Sequence, residues 1–274
     1  MEVEMNTKHL SLFMQVIKTG NITQVAKDLH VSQPAISMQL KRLEQEIGVP
    51  LFTIVGRNIS VTDAGLTFLE YAESILSLEG QIYRAMEEFR LGNRGRIVVG
   101  TSSVIGTYLL PKLMLSFTQA HPDIKVDLET RTDDEIERFV RMGSFDIGIT
   151  LKVPEDHFSF RITRFSEDRL IGIQPPIPIN NQTLLIPEDM SIILSTDLDA
   201  NIIKLDSTES VKQFVMEGMG YGVILESAAR FEIASDRLHP WSGYNPHHVV
   251  VNVITRPAER LSKSVWYFLN HLRK

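Results

Sequence analysis

The spacing of apolar residues predicts a chain in two parts: a small, mostly helical head and a larger α/β domain, joined by one long helix. Three observations carry this. Short amphipathic runs with turn residues between them crowd residues 1–61. A four-three apolar repeat then runs unbroken from Ala64 to Phe89. Beyond Gly95, strand-like and helix-like runs alternate, the pattern of a parallel sheet with helices on its faces.

In the head, Leu10, Phe13, Met14, Val16 and Ile17 fall on one side of a helix from Thr7 to Lys18, and Thr19-Gly20-Asn21 ends it. Val25, Ala26 and Leu29 form the inner face of a second, short helix. Ser32 is placed to cap a third, with Pro34 in its first turn, where the missing N–H does no harm. Ala35, Ile36, Leu40, Leu43 and Ile47 make its buried stripe, and Gly48 stops it. Two short extended runs then flank Gly56-Arg57-Asn58, a hairpin wing beside a helix-turn-helix.

The third helix carries the chemistry. Ser32, Gln33, Ser37 and Gln39 stand in its first turns, and Lys41 and Arg42 further along. Amides and hydroxyls hydrogen-bond base edges, and cations hold phosphates, so this order suits a reader of the DNA major groove. Taken singly, Ser32 is a helix cap and Lys41 and Arg42 a solvated face; it is the pattern that makes double-stranded DNA the expected partner. Arg57 and Asn58 at the wing tip, and Thr62 after it, are expected to reach the backbone.

Thr62-Asp63-Ala64-Gly65 opens the long helix, which runs to Leu91. Its seam is Ala64, Phe68, Tyr71, Ile75, Leu78, Ile82, Ala85 and Phe89. At 1.5 Å per residue such a rod is roughly 40–45 Å long, and a narrow seam of that length is better covered by a second helix than by a compact core. A homo-oligomer follows, with Phe68, Tyr71, Ile75, Leu78, Ile82 and Phe89 as its dimerisation contacts. Leu91-Gly92-Asn93-Arg94-Gly95 is the joint to the next domain.

There, Arg96–Gly100, Ile124–Glu129 and Phe145–Thr150 read as strands, with helices at Tyr108–Ala120 and Asp133–Met142. Val211–Met219, Gly222–Ile224, Val249–Ile254 and a closing helix Leu261–Leu272 continue the alternation. Thr101, Ser102 and Ser103 follow a strand and open a helix, and Thr150 ends a strand on the same edge of the sheet. Hydroxyls and free N–H groups at such an edge suit a small-molecule ligand, with an anion the first choice; the plain alternative is a helix cap.

Composition sets the limits. The 274 residues have room for roughly two or three domains. There is no cysteine, which removes disulfides, thiolate nucleophiles and cysteine-based zinc sites. No apolar run is long enough to span a bilayer, and the start Met1–Asn6 is acidic and polar, so no membrane contact and a cytoplasmic location are expected. The net charge is −6, but residues 1–61 hold six Lys/Arg against five acids, so +1 sits in the head and −7 in the remainder. Phosphate contacts are local and screened, so an acidic domain is compatible with a DNA-binding head, though a weakly basic head needs pairing to bind firmly. No catalytic constellation is present: His247 and His248 are adjacent, Ser207 and Ser227 lack a nucleophile context, and no cofactor, metal or enzymatic activity is expected.

These residues together resemble the LysR-type transcriptional regulators. The head pattern of that family appears as Ala26, Leu29, Ser32-Gln33-Pro34-Ala35, Ser37, Gln39-Leu40, Leu43-Glu44, Ile47-Gly48, Leu51-Phe52, Gly56-Arg57 and Val61-Thr62-Asp63-Ala64-Gly65. Ile97–Ser103, Phe145–Ile149 and Val215–Gly222 are similar to its effector domain, and Ile105–Pro111 resembles the subgroup that controls carbon fixation and sulfur assimilation.

The resemblance implies an all-α winged helix-turn-helix head with a linker helix, plus an α/β two-lobed effector domain like a type 2 periplasmic binding protein. It implies a dimer or tetramer, and a small molecule between the lobes that alters DNA bending. The implied divisions are 1–61 for the head, 62–91 for the linker, 92–165 with 255–274 for the first lobe and 166–254 for a shortened second lobe. DNA contacts are implied for Thr23, Gln24, Ser32, Gln33, Pro34, Ser37, Gln39, Lys41, Arg42, Arg57, Asn58 and Thr62, and effector contacts for Thr101, Ser102, Ser103, Thr150, Ser195 and Thr196.

Val25 replaces a usual alanine, and Met38 and Ile54 stand where arginine is common. Ser191–Asp197 reads as the strand and loop before a helix that then has no room, because Asn201–Leu205 follows almost at once. The rival reading is a ligand-binding or protein-interaction module whose head no longer holds DNA firmly.

Overall fold

The computed structural model describes residues 6–55, 58–91, 95–156, 158–180, 183–188, 201–257 and 261–272, without the side chains of 54, 55, 58, 84, 85 and 87–91. The chain divides into two compact units, Met1–Arg84 and Ala85–Lys274.

The smaller unit holds α1 (Thr7–Thr19), α2 (Ile22–Asp28), α3 (Gln33–Ile47), the hairpin β1 (Phe52–Val55) and β2 (Asn58–Val61), and most of α4 (Asp63–Leu91). Local capping sets the helix starts. Asn6 Oδ1 accepts from the Lys8 amide, Asn21 Oδ1 from those of Thr23 and Gln24, and Ser32 Oγ from that of Ala35. The α2–α3 turn is tight, with His30 at φ +55° and the Val31 amide donating to Ala26 O. Leu12, Phe13, Val16, Val25, Ala26, Ile36, Leu40, Leu43 and Leu51 form its core.

Two residues of the head motif, Glu44 and the expected backbone contact Thr62, fasten this unit together. The Glu44 carboxylate accepts from the amides of Leu51 and Phe52 at 2.8 and 3.3 Å, tying α3 to the hairpin. Thr62 caps α4 by accepting from the Gly65 amide at 3.0 Å, and donates to Pro50 O at 2.8 Å. Gly65 is there because a Cβ would sit 1.9 Å from Leu51 O.

The larger unit holds β3 (Arg96–Thr101), α5 (Ser103–Tyr108), α6 (Leu110–Ala120), β4 (Lys125–Thr130), α7 (Asp133–Met142), β5 (Ile147–Thr150), β6 (Arg161–Gln174), β7 (Thr183–Pro187), β8 (Asn201–Leu205), α8 (Thr208–Met216), β9 (Tyr221–Leu225), α9 (Glu226–Ala234), β10 (His239–Pro240), β11 (His247–Thr255) and α10 (Lys263–His271). One curled sheet runs in the order β4-β3-β5-β11-β6-β9-β7-β8, with β10 on β6.

The sheet is mixed, which corrects the parallel sheet expected from the alternation. β3, β4 and β5 are parallel, as are β7, β8 and β9, but the long antiparallel pair β6 and β11 joins the two sets. Each parallel set with its helices is one lobe, and β6 and β11 run through both.

Three further differences have local causes. The helix expected over Tyr108–Ala120 is α6, which starts at Leu110, and the helix opened at Ser103 is the separate short α5. Pro111 sits in the first turn of α6, where its missing N–H does no harm but a helix running on from α5 would need it. β6 opens with mixed polar, charged and apolar residues and ends in an apolar run, so it lacks the strict period-two pattern that marks a strand, and the sequence alone does not single it out. β8 pairs with β7, an unbroken buried run that the alternation did not single out; the expected strand Ser191–Leu194 lies outside the described residues. Positions 188–200 between β7 and β8 span about the dozen residues that a parallel crossover requires.

Candidate nucleic-acid interface

α3 has one committed face and one free face. Ile36, Leu40 and Leu43 are buried at 1–2% exposure. Each residue advances roughly 100° around the axis, so Pro34, Met38, Lys41 and Gln45 lie opposite that stripe, with Gln33 and Ser37 along one flank and Gln39 and Arg42 along the other. All of these but the half-buried Ser37 are exposed. Gln33 Nε2 donates to Ser37 Oγ at 2.9 Å, one turn on, which holds the amide out at the entry end of the helix.

The remaining candidates are dispersed around this face. Arg42 Nε donates to Glu46 Oε1 at 2.9 Å, so its charge is partly met on its own helix. Thr23 and Gln24 are exposed at the start of α2, and Gln24 Nε2 donates to Asp28 Oδ1 at 2.8 Å. Ser32 caps α3, and the hydroxyl of Thr62 is engaged twice within the unit, as given above. Arg57 lies outside the described residues; Asn58 starts β2, with its side chain outside them.

Along α4 the seam is not uniform. The Phe68 ring packs edge-on against Phe13 at 5.3 Å, so that residue belongs to the head core. Ile75 is half-buried, while Tyr71, Leu78 and Ile82 are 68%, 57% and 56% exposed. The side chain of Phe89 is outside the described ones.

The larger unit presents a second candidate site at the carboxyl ends of β3 and β5. Thr101 pairs in register with Ile149, which brings it beside Thr150. Thr101, Ser102 and Thr150 are buried and Ser103 is exposed. Thr150 Oγ1 donates to Lys152 O at 2.7 Å, and Thr101 Oγ1 to Ser102 O at 3.4 Å. Ser102 is the N-cap of α5, but its hydroxyl makes no capping bond and is buried without a hydrogen-bond partner. Lys152 at this edge is held charged by its bond to Asp134, which raises its pKa and meets its charge at 2.6 Å. Ser195 and Thr196 lie outside the described residues.

Between the lobes sits a charge that sequence reading had passed over. Lys212 on α8 is 2% exposed; its Nζ lies 2.8 Å from Glu232 Oε1 on α9 and 2.7 Å from Glu209, and 5.0 Å over the ring of Tyr108 on α5. Among the described residues no group of three or more His, Asp or Glu is placed to hold a metal, and no helix is long and apolar enough to cross a membrane.

Comparison with known proteins gives consistent results for both units. Residues 7–66 match the family model described as bacterial regulatory helix-turn-helix protein, lysR family, and residues 90–191 the LysR substrate binding domain. A relative in Trichormus variabilis, named "Probable RuBisCO transcriptional regulator", is 31% identical over 256 residues, covering 84% of this chain and 76% of the relative. The crystal structure of CbnR, a LysR family transcriptional regulator, superposes with a TM-score of 0.73 at 23% identity, covering 98% of each chain. Full-length CbnR complexed with its target DNA superposes at 0.71 with 22% identity, covering 98% of this chain and 99% of that one. At these identities the two superpositions speak for the fold alone.

Proposed function

The chain belongs to the LysR family of transcriptional regulators, and from that premise we propose that α3 is its base-reading helix and that Gln33 and Ser37 make the discriminating contacts. Regulators of this family bind DNA and small-molecule effectors, and the chain is a regulator rather than an enzyme. The observation that carries the assignment is the free face of α3, where a hydrogen-bonded amide and hydroxyl stand at the entry end and Lys41 follows one turn further on. A glutamine amide donates to N7 and accepts from N6 of adenine, while a serine hydroxyl serves either base edge. Ser32, Pro34, Gln39, Arg42, Thr23, Gln24 and Asn58 border that contact and position the backbone, a role that the motif assigns to Arg57 as well. Thr62 acts mainly through the cap that orients α4.

The exposed Tyr71, Leu78 and Ile82 support a homo-oligomer paired along α4. Two heads then read an interrupted, roughly palindromic site. The lobes correspond to 92–165 with 255–274 and to 166–254. The unpartnered hydroxyl of Ser102 supports a small anionic effector between them, with Thr101, Ser103 and Thr150 beside it. The names of the relatives make carbon-fixation operators the first to try.

Selection of bound sequences from a random duplex pool tests the DNA assignment. A preferred sequence with a steep salt dependence is expected, with the preference relaxed in Gln33→Ala and Ser37→Ala. Unchanged selection in both variants refutes the contacts; no selection in the wild type favours a head that no longer binds DNA firmly.

A further inference from the structure

Met38 is the one large apolar side chain among the exposed residues of α3, and it is 69% exposed. It occupies the outermost line of the helix, directly opposite Ile36, Leu40 and Leu43. Its exposed neighbours on α3 are Gln33, Pro34, Gln39, Lys41, Arg42 and Gln45, so on this helix it stands among mostly polar and charged side chains. The seam on α4 is a separate feature. A singly exposed apolar residue is ordinary on a protein surface. What sets this one apart is its place, at the centre of a face made of amides and cations with Pro34 as its one other apolar member.

We infer that Met38 is a specificity-determining residue that reads the C5-methyl group of a thymine in the major groove. The inference rests on the assignment of α3 as the base-reading helix and deepens it. The floor of the major groove presents donors and acceptors for every base pair, and one apolar group, the thymine methyl. A side chain that carries no donor and only a weak thioether acceptor, held at the middle of the reading face, has that one favourable partner. Methionine is unbranched with three rotatable bonds, so it follows the methyl without moving the helix, and its polarizable sulfur packs well against a base edge. Gln33 and Ser37, bonded to each other on the adjacent flank, read a neighbouring step. The contact is therefore expected next to an adenine or to the acceptor that they choose.

Replacing thymine by deoxyuridine removes the methyl and leaves every hydrogen-bonding group in place. The test uses the full chain and its preferred duplex from the pool selection, with each thymine replaced by deoxyuridine in turn. The wild type is expected to lose about three- to fivefold in affinity at one thymine per half-site, the worth of one buried methyl group. In Met38→Ala that loss disappears at that position only, and in Met38→Leu it is retained. In Gln33→Ala overall affinity falls while the thymine-to-uracil ratio stays as in the wild type. Met38 is exposed, so these variants are expected to keep the wild-type thermal midpoint. Insensitivity of the wild type to every replacement, or an unchanged ratio in Met38→Ala, overturns the inference and leaves the DNA assignment standing. Absence of any preferred duplex overturns both.

Discussion

The two candidate sites use the same kinds of side chain in opposite ways. On α3, Gln33, Gln39 and Lys41 face solvent, and Ser37 is half-buried beneath the amide it supports. At the ends of β3 and β5, Thr101 and Thr150 are each 1% exposed and Ser102 4%, with two of the three hydroxyls turned to backbone carbonyls. The head thus displays a finished surface that a rigid partner can meet. The larger unit keeps its polar groups inside, where they bear on stability before they meet any ligand. Removing a polar group from the first should alter affinity and leave stability alone; removing one from the second should alter stability according to whether the group has a partner.

The strongest attack on this contrast is at Lys212. Deleting one member of a buried ion pair leaves an uncompensated charge, here on Glu232, so Lys212→Ala should lower the stability of the larger unit by about 3–5 kcal/mol. Both tryptophans, Trp241 and Trp266, lie in that unit, so tryptophan fluorescence in urea follows it alone. Gln33→Ala in the same assay should shift stability by less than about 0.5 kcal/mol. An unchanged urea midpoint in Lys212→Ala would erase the distinction.

Ser102 sharpens it from the other side. Its hydroxyl has no hydrogen bond to lose, so Ser102→Ala should be neutral or stabilising by up to about 1 kcal/mol, while any response of DNA binding to a small anion is lost. A clear loss of stability would mean that the hydroxyl is already satisfied.

The smallest effect concerns pH. The Asp156 carboxyl is held at about 2, first by the Ser159 hydroxyl and then by the Arg141 guanidinium, against an ordinary 3.8. Its folded pKa lies below its unfolded one, so its contribution is complete above pH 4 and is lost as the pH falls from about 4 to about 2. The carboxyl is exposed and solvent screens it, so the change is slight. Thermal midpoints from pH 5 to pH 2 should fall more steeply in the wild type than in Asp156→Asn; parallel curves would show that the ion pair has no role in acid.

Much of the head was legible because its rules are local. The apolar stripe of α3, the cap at Ser32 and the stop at Gly48 lie within a few turns of one another. The motif residues Glu44, Thr62 and Gly65 were equally visible, yet their work was not: Glu44 binds two amides of the hairpin, and Gly65 makes room for Leu51 O. In the larger unit β6 carries no regular period of its own and is a strand through its pairing with β11 and β9. Phe68 fits the heptad seam by spacing, and only its contact with Phe13 assigns it to the core.

The sequence by itself determined that this chain has a helix-turn-helix head, a long apolar-seamed helix and an alternating α/β domain, because helical period, caps and turn residues act over a few positions. Only the tertiary structure decided which hydroxyls face outward and which are enclosed, and that Lys212 meets Glu232 twenty positions away while its charge lies over Tyr108 of the other lobe. Burial and charge pairing depend on distances set by the whole packed chain, and no local pattern of residues encodes them.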